Sequence, residues 1–141
     1  MLTTADLQDL LRSTQSIAVV GLSPDPSRTS YAISRYMIEQ GFTIYPVNPH
    51  CEEVLGRKCY ASVQDIPADA QLDMINIFRR PSETARMVQD VLKRIDKTGE
   101  KPVIWTQIGV SSGEAQRLAD EAGLPYVANR CLMVEHARMA A

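Results

Sequence analysis

Apolar positions along the chain switch between two spacings. Short runs of branched and aromatic residues, Ile17 to Val20, Phe42 to Val47, Asp73 to Phe78, Pro102 to Thr106 and Pro125 to Ala128, have the length and composition of buried strands. Between them, apolar residues recur three and four apart, which is the period of a helix face. Leu7, Leu10 and Leu11 mark a short first helix against the outside of the domain, with Thr4 as its cap. Ala32, Ile33, Tyr36 and Met37 mark a second over about 29 to 40, which stops at Gly41. Thr84, Met87, Val88, Val91, Leu92 and Ile95 form the buried face of a third, opened by Pro81 and reaching about Lys97. Ala115, Leu118, Ala119 and Ala122 mark a fourth, with Ser111 and Glu114 as a capping box and Gly123 as its stop, and Cys131 to Met139 predicts a terminal helix. Gly56 to Tyr60 predicts a short edge strand, and Ser62 to Pro67 a turn or short helix.

Strands alternating with helices at this spacing imply right-handed crossovers and a sheet covered on both faces. The fold class is therefore α/β, a Rossmann-like three-layer domain with a mainly parallel sheet. No linker or low-complexity stretch interrupts the pattern, so residues 1–141 read as a single domain.

Composition narrows the function classes. An apolar fraction of 45% in 141 residues supports a core without disulfides or metal. The net charge of −2 gives no general field for nucleic acid, so any anion site is a local cluster. The first residues lack a basic region followed by an apolar run, and no segment approaches a membrane span. The three cysteines, Cys51, Cys59 and Cys131, show no CxxC pairing, which argues against a disulfide framework. A soluble, cytoplasmic protein is expected, with no nucleic acid or membrane partner.

In an open parallel sheet, ligands sit outside the carboxyl ends of the strands. The residues that follow each strand are thus the informative ones: Gly21 to Ser30, Asn48 to Cys51, Phe78 to Pro81, Gln107 to Gly109 and Asn129 to Cys131. The first set runs from a strand through one glycine and a polar turn into a helix N-terminus, with hydroxyls at Ser23, Ser27, Thr29 and Ser30 and a charge at Arg28. Such a loop offers backbone donors and the positive end of a helix dipole to a phosphate. Taken alone, it fits a phosphate site and a plain capped turn equally well. It is neither G-x-G-x-x-G nor a P-loop, and Tyr45-Pro46-Val47-Asn48-Pro49 brings no acid to the end of the second strand for a ribose diol. These two absences point away from NAD and towards another phosphate-rich nucleotide.

Five motifs then converge. Val-Gly-x-Ser-x-x-x-x-Arg-x-Ser-Tyr at 20 to 31, Tyr-Pro-Val-Asn-Pro at 45 to 49, Phe-Arg-Arg-Pro at 78 to 81, Trp-x-Gln-x-Gly at 105 to 109 and Arg-Cys-x-x-x-Glu-His at 130 to 136 resemble the small bacterial and archaeal CoA-binding proteins. That family is similar to the N-terminal CoA-binding domain of the succinyl-CoA synthetase α subunit, and the resemblance runs from about residue 15 to 138. It implies coenzyme A as ligand, with Gly21, Leu22, Ser23, Arg28 and Ser30 holding phosphates and Asn48 beside the nucleotide. Phe78 and Arg79 would flank the adenine or pantetheine, and Gln107, Ile108 and Gly109 would line the opposite wall. Asn129 stands where the family usually has Asp, and Met133 where Lys is frequent.

The residues carry no nucleophile elbow, no carboxylate pair at an identifiable site and no metal motif. Trp105, inside a strand, reads as core rather than as a stacking platform. The expected function is therefore non-catalytic binding of CoA or acyl-CoA, as carrier, sensor or regulator. Two alternatives stand beside it: a small NAD(P)-dependent oxidoreductase, and a CoA-supplying subunit of an acyl-CoA synthetase. A protein partner or a homo-oligomer is compatible with each.

Overall fold

The computed structural model describes residues 2–140. The expectation of one domain over 1–141 also covers Met1 and Ala141, which lie outside the described residues. Seven strands and five helices follow in the order α1 (Thr4–Arg12), β1 (Ser16–Val20), α2 (Thr29–Glu39), β2 (Thr43–Val47), β3 (Glu53–Val54), β4 (Arg57–Lys58), β5 (Met74–Ile77), α3 (Pro81–Thr98), β6 (Val103–Thr106), α4 (Gly113–Glu121), β7 (Tyr126–Val127) and α5 (Leu132–Ala140). Five strands pair in parallel in the order β2-β1-β5-β6-β7. The chain leaves β1 towards β2, then returns across β1 to β5 and continues outward. Reversal of direction with right-handed crossovers puts α2 on one face and α3 and α4 on the other, and it makes the gap between β1 and β5 the topological switch point.

Side chains sort accordingly. Ile17, Val19, Met74, Trp105 and Val127 point to one face, where they pack with Leu7 and Leu11 of α1, Ile33 and Met37 of α2 and Leu132 of α5. Ala18, Val20, Ile75, Ile77 and Ile104 point to the other, against Val88 and Val91 of α3 and Ala115 and Ala119 of α4. This two-sided burial explains why the strands read as continuous apolar runs rather than as alternating ones. Trp105 is fully buried and its indole N–H donates to the Arg130 carbonyl at 2.9 Å, so it is a core residue.

Three local details differ from the sequence reading. The cap of α1 is Thr3, not Thr4, because Asp6 stands three residues after Thr3 and closes a reciprocal capping box with it. Ser112, not Ser111, caps α4 by accepting from the Ala115 N–H, and the Ser111 hydroxyl instead meets the Tyr126 hydroxyl at 2.8 Å. The edge strand expected at 56–60 is an antiparallel hairpin, β3 with β4, after which Tyr60 alone bridges to Val47. A single 3-10 turn, Val63–Asp65, occupies the stretch expected as a turn or short helix.

Beneath the far end of α3, Arg94 and Glu100 form a buried ion pair at 2.7 Å. The same guanidinium donates to the carbonyls of Val63, Ile66 and Pro67, while Glu100 accepts from the Leu72 N–H and the Thr98 hydroxyl. Irregular backbone between β4 and β5 is thereby satisfied by side chains, as buried polar groups require. Among the described residues, no helix is long and apolar enough to cross a membrane.

Candidate functional site

At the carboxyl ends of β1, β2 and β5 the backbone comes unusually close together. Gly21 leaves β1 with φ +88°, and its N–H donates to the Val47 carbonyl at 2.8 Å. A Cβ built on it would stand 2.8 Å from the Phe78 carbonyl oxygen and 3.1 Å from Arg79 Cδ. Positive φ and this close approach together require glycine. The result is an opening over the switch point, with Gly21 on its floor and Phe78 beside it.

The loop from 22 to 30 is held by its own polar groups. Leu22 buries its side chain in the core, and its carbonyl accepts from Asn48 Nδ2 at 3.0 Å. Asn48 Oδ1 in turn accepts the His50 N–H at 2.8 Å, so this amide ties the β2 loop to the β1 loop. Ser30 Oγ accepts the Ser23 N–H, Ser23 Oγ accepts the Asp25 N–H, and Asp25 Oδ1 accepts both the N–H and the hydroxyl of Ser27. Those Ser27 bonds, the backbone one foremost, hold the Asp25 carboxyl below its ordinary value.

Helix α2 begins here without a cap. Arg28 occupies the N-cap position with no side-chain bond to the helix, and no acid stands in the first turn. The first helical bond is the Ala32 N–H to the Arg28 carbonyl, so the N–H groups of Thr29, Ser30 and Tyr31 lie ahead of the helical ladder. Thr29 and Ser30 border an open hollow of about 470 Å³ lined also by Gly21, Ser23, Ser27, Arg28 and Phe78. Hydroxyls, one guanidinium and a helix N-terminus converging on one space suit a phosphate.

On the other side of the strand ends, Val20, Val47, Pro49 and Arg79 face α3 across a second hollow of about 330 Å³. Arg79 pairs with Glu83 at 2.8 Å, and that bond holds the Glu83 carboxyl below the usual glutamate value. Its Nε is buried without a partner, so the guanidinium keeps donor capacity beyond the Glu83 bond. The apolar floor and mixed charged rim (Arg86 and Asp90 besides Arg79 and Glu83) differ from the hydroxyl-rich first hollow.

Of the residues singled out from sequence, Gly21, Ser23, Arg28, Ser30 and Phe78 thus share one hollow and Arg79 lines the adjoining one. Leu22 and Asn48 stand behind the loop. Gln107, Ile108 and Gly109 lie further along the sheet end, around neither hollow. Gln107 is buried, with its amide oxygen accepting the Leu132 N–H at 3.0 Å, which anchors the start of α5. Gly109 donates its N–H to Asn129 Oδ1, and Ile108 stands 70% exposed, a bare apolar side chain at the rim. Sequence reasoning missed Ser62, Arg86 and Asp90 in the second hollow. The spacing of Glu83, Arg86 and Asp90 along α3 is one helical stripe in line with Arg79, and that stripe was the signal available.

A larger hollow of about 700 Å³ runs along the outer edge of β7. Its charged lining is Asp120 and Arg130, of opposite sign, so it concentrates no positive charge for an anion.

Comparison with known proteins assigns the family. The profile of the CoA binding domain matches residues 15–137. The chain is 35% identical over 133 residues to the uncharacterized protein YneT of Bacillus subtilis, covering 94% of this chain and 93% of that one. A hypothetical protein from Pyrococcus horikoshii superposes with a TM-score of 0.91 at 44% identity, covering 99% of this chain and 94% of the other. The α subunit of the ADP-forming acetate–CoA ligase II of Pyrococcus furiosus is 30% identical over 123 residues, which are 86% of this chain but only 26% of the subunit. With that profile spanning almost its whole length, this chain belongs to the CoA-binding domain family and is related to the CoA-binding domains of ADP-forming acetate–CoA ligases.

Proposed function

We propose that the protein binds coenzyme A or an acyl-CoA reversibly at the carboxyl ends of its strands and acts as a carrier, sensor or regulator rather than as a catalyst. The observation that carries this reading is the uncapped N-terminus of α2, bordered by Arg28 and the hydroxyls of Ser23, Ser27, Thr29 and Ser30 over the space that Gly21 leaves open. Arg28, the Ser30 hydroxyl and the free backbone N–H groups that open α2 bind phosphate oxygens, while Gly21 and Ser23 spend their N–H groups on shaping the loop beneath them. Asn48 acts from behind, by fixing the Leu22 carbonyl and with it the loop. Phe78 and Arg79 divide the two hollows and flank the adenine or pantetheine. Ile108 offers an apolar contact to whatever extends along the sheet end towards Gly109.

A second reading is favoured by the ligase relatives: the chain supplies CoA to a separate catalytic subunit. The chain spans about a quarter of the Pyrococcus furiosus subunit it matches, and a partner would provide the remaining chemistry. An NAD(P) reductase fits the site less well, because Asn48 occupies the position of the ribose-binding acid and spends its amide on Leu22 and His50.

A thermal-shift panel of CoA, acetyl-CoA, dephospho-CoA, NADP and ATP tests the reading, since a ligand that binds only the native state raises Tm. Stabilisation by the CoA species alone is expected. Stabilisation by NADP alone would replace this reading with the reductase one.

A further inference from the structure

Outside the strand-end hollows, two thiols meet. Cys51 follows Asn48 by three residues and Cys59 immediately precedes Tyr60, so the pair brackets the β3–β4 hairpin. The hairpin sets Glu53 opposite Lys58 and Val54 opposite Arg57, and the Cys59 N–H donates to the Glu52 carbonyl at 2.8 Å. Folding the chain back in this register leaves Cys51 Sγ 2.8 Å from Cys59 Sγ. A disulfide bond spans about 2.05 Å, so closure moves the two sulfurs together by less than ~1 Å.

We propose that Cys51 and Cys59 are a reversible dithiol–disulfide pair, oxidised by the disulfide of a low-molecular-weight thiol. Cys51 is the more accessible of the two and attacks first. Its thiolate bonds to one sulfur of the small disulfide and expels the other as a thiolate, which takes up the proton that Cys51 released. The Cys59 thiol then gives up its proton, and its thiolate attacks Cys51 Sγ, releasing the second small thiol. One small disulfide is reduced to two thiols while two protein thiols become one disulfide, and electrons and protons balance.

The order of these steps follows from the surroundings. Burial first, and then the hydrogen bond with Cys51, pushes the Cys59 thiol up to about 12, so the resting pair keeps Cys59 protonated. Once Cys51 is held in a mixed disulfide, its share of that rise is gone while the share from burial remains, and Cys59 stays at 2.8 Å, placed to resolve the intermediate. Cys131, at the start of α5 on another segment, has no part in this.

The pair also touches the ligand side of the molecule through the backbone. Tyr60, next to Cys59, accepts the Asn48 N–H at 2.8 Å and donates its own N–H to the Pro46 carbonyl at 3.0 Å. Closing the disulfide therefore restrains the segment that carries Asn48, without placing a sulfur in either hollow. Whether or not CoA is the ligand, the exchange needs only the two thiols and a small disulfide.

Reduced protein is incubated with glutathione disulfide or with coenzyme A disulfide, then unfolded, alkylated and mapped by mass spectrometry. Of the three cysteines, only Cys131 is expected to take up the alkyl group in the wild type, and dithiothreitol restores alkylation of all three. Cys59→Ser is expected to retain one mixed disulfide on Cys51, which the wild type resolves. Faster oxidation by coenzyme A disulfide would mark the CoA thiol as the source, and equal rates would mark the general small-thiol pool. Full alkylation of all three cysteines after both treatments, in protein whose circular dichroism is native, would overturn the proposal. So would a disulfide that maps to Cys131.

Discussion

Replacing Gly21 by alanine tests the geometry on which the site rests. Its φ of +88° lies where an L residue is strained by about 1–2 kcal/mol. The added Cβ also meets the Phe78 carbonyl oxygen at 2.8 Å, and that oxygen belongs to backbone at the end of β5 and cannot swing away like a side chain. Forcing strand ends apart in a packed sheet costs a further ~1–3 kcal/mol. The expected loss is therefore roughly 2–5 kcal/mol, or a fall in Tm of about 6–20 °C for a domain of this size. Gly109 supplies the control: its φ of +81° is equally unfavourable to alanine, yet nothing lies within 4 Å of the place its methyl group would take. Gly109→Ala should cost only the backbone part, about 1–2 kcal/mol. Urea denaturation of the two variants isolates the steric contribution as their difference. Equal losses would refute the close approach of β1 and β5 at the switch point.

Other perturbations probe the support of the site and the fold. Arg94→Met leaves the buried Glu100 unpaired and is expected to cost about 3–5 kcal/mol in chemical denaturation; converting Glu100 to leucine as well should recover only part of this, because the Ile66 carbonyl and the Leu72 N–H lose their side-chain partners. Burial pushes the Glu100 carboxyl up, but its bonds to Arg94, Leu72 and Thr98 outweigh that and set it below the ordinary 4.5. A carboxyl lowered in the folded state stabilises the fold above its unfolded value and loses that contribution as pH falls through the folded one. The stability gap between wild type and Glu100→Gln, followed by denaturation at a series of pH values, should therefore be full at neutral pH and narrow on the acid side of 4.5. Asn48→Ala removes the tether to the Leu22 carbonyl and should weaken CoA binding measurably while costing only about 1 kcal/mol of stability; unchanged affinity by calorimetry would show that the loop needs no such tether.

The layered α/β architecture was legible because fully buried parallel strands and one-sided helices leave different apolar spacings, and every main strand and helix was visible in that pattern. What escaped has physical reasons. The β3–β4 hairpin turns at Leu55 and Gly56, and Leu55 adopts φ +53°, a conformation that a leucine does not advertise. Caps at Thr3 and Ser112 were misplaced by one residue, since neighbouring hydroxyls share the same signature and only the backbone path decides between them. At the proposed site, the five motifs fall at or near strand ends, but they do not give the direction in which each polar group points. Asn48 and Gln107 are amides at strand ends, as a ligand-binding residue would be, yet both are spent on backbone groups of Leu22, His50 and Leu132. The Leu22 and Leu132 partners lie far away in sequence and leave no local trace. Arg79 showed as a charge at a helix start, whereas its pairing with Glu83 depends on how the chain enters α3, one residue ahead of the Arg80 N-cap.

The most direct measurement is calorimetric titration of coenzyme A into the wild type and Arg28→Ala at low and high salt. Saturable one-site binding is expected, weakened by about 1.5–3 kcal/mol in the variant through loss of a charge-assisted hydrogen bond. The variant's affinity should also depend less steeply on salt. Absence of any binding to the folded wild type, or identical affinity in both proteins, would contradict the assignment of a CoA phosphate to Arg28 and the loop after β1.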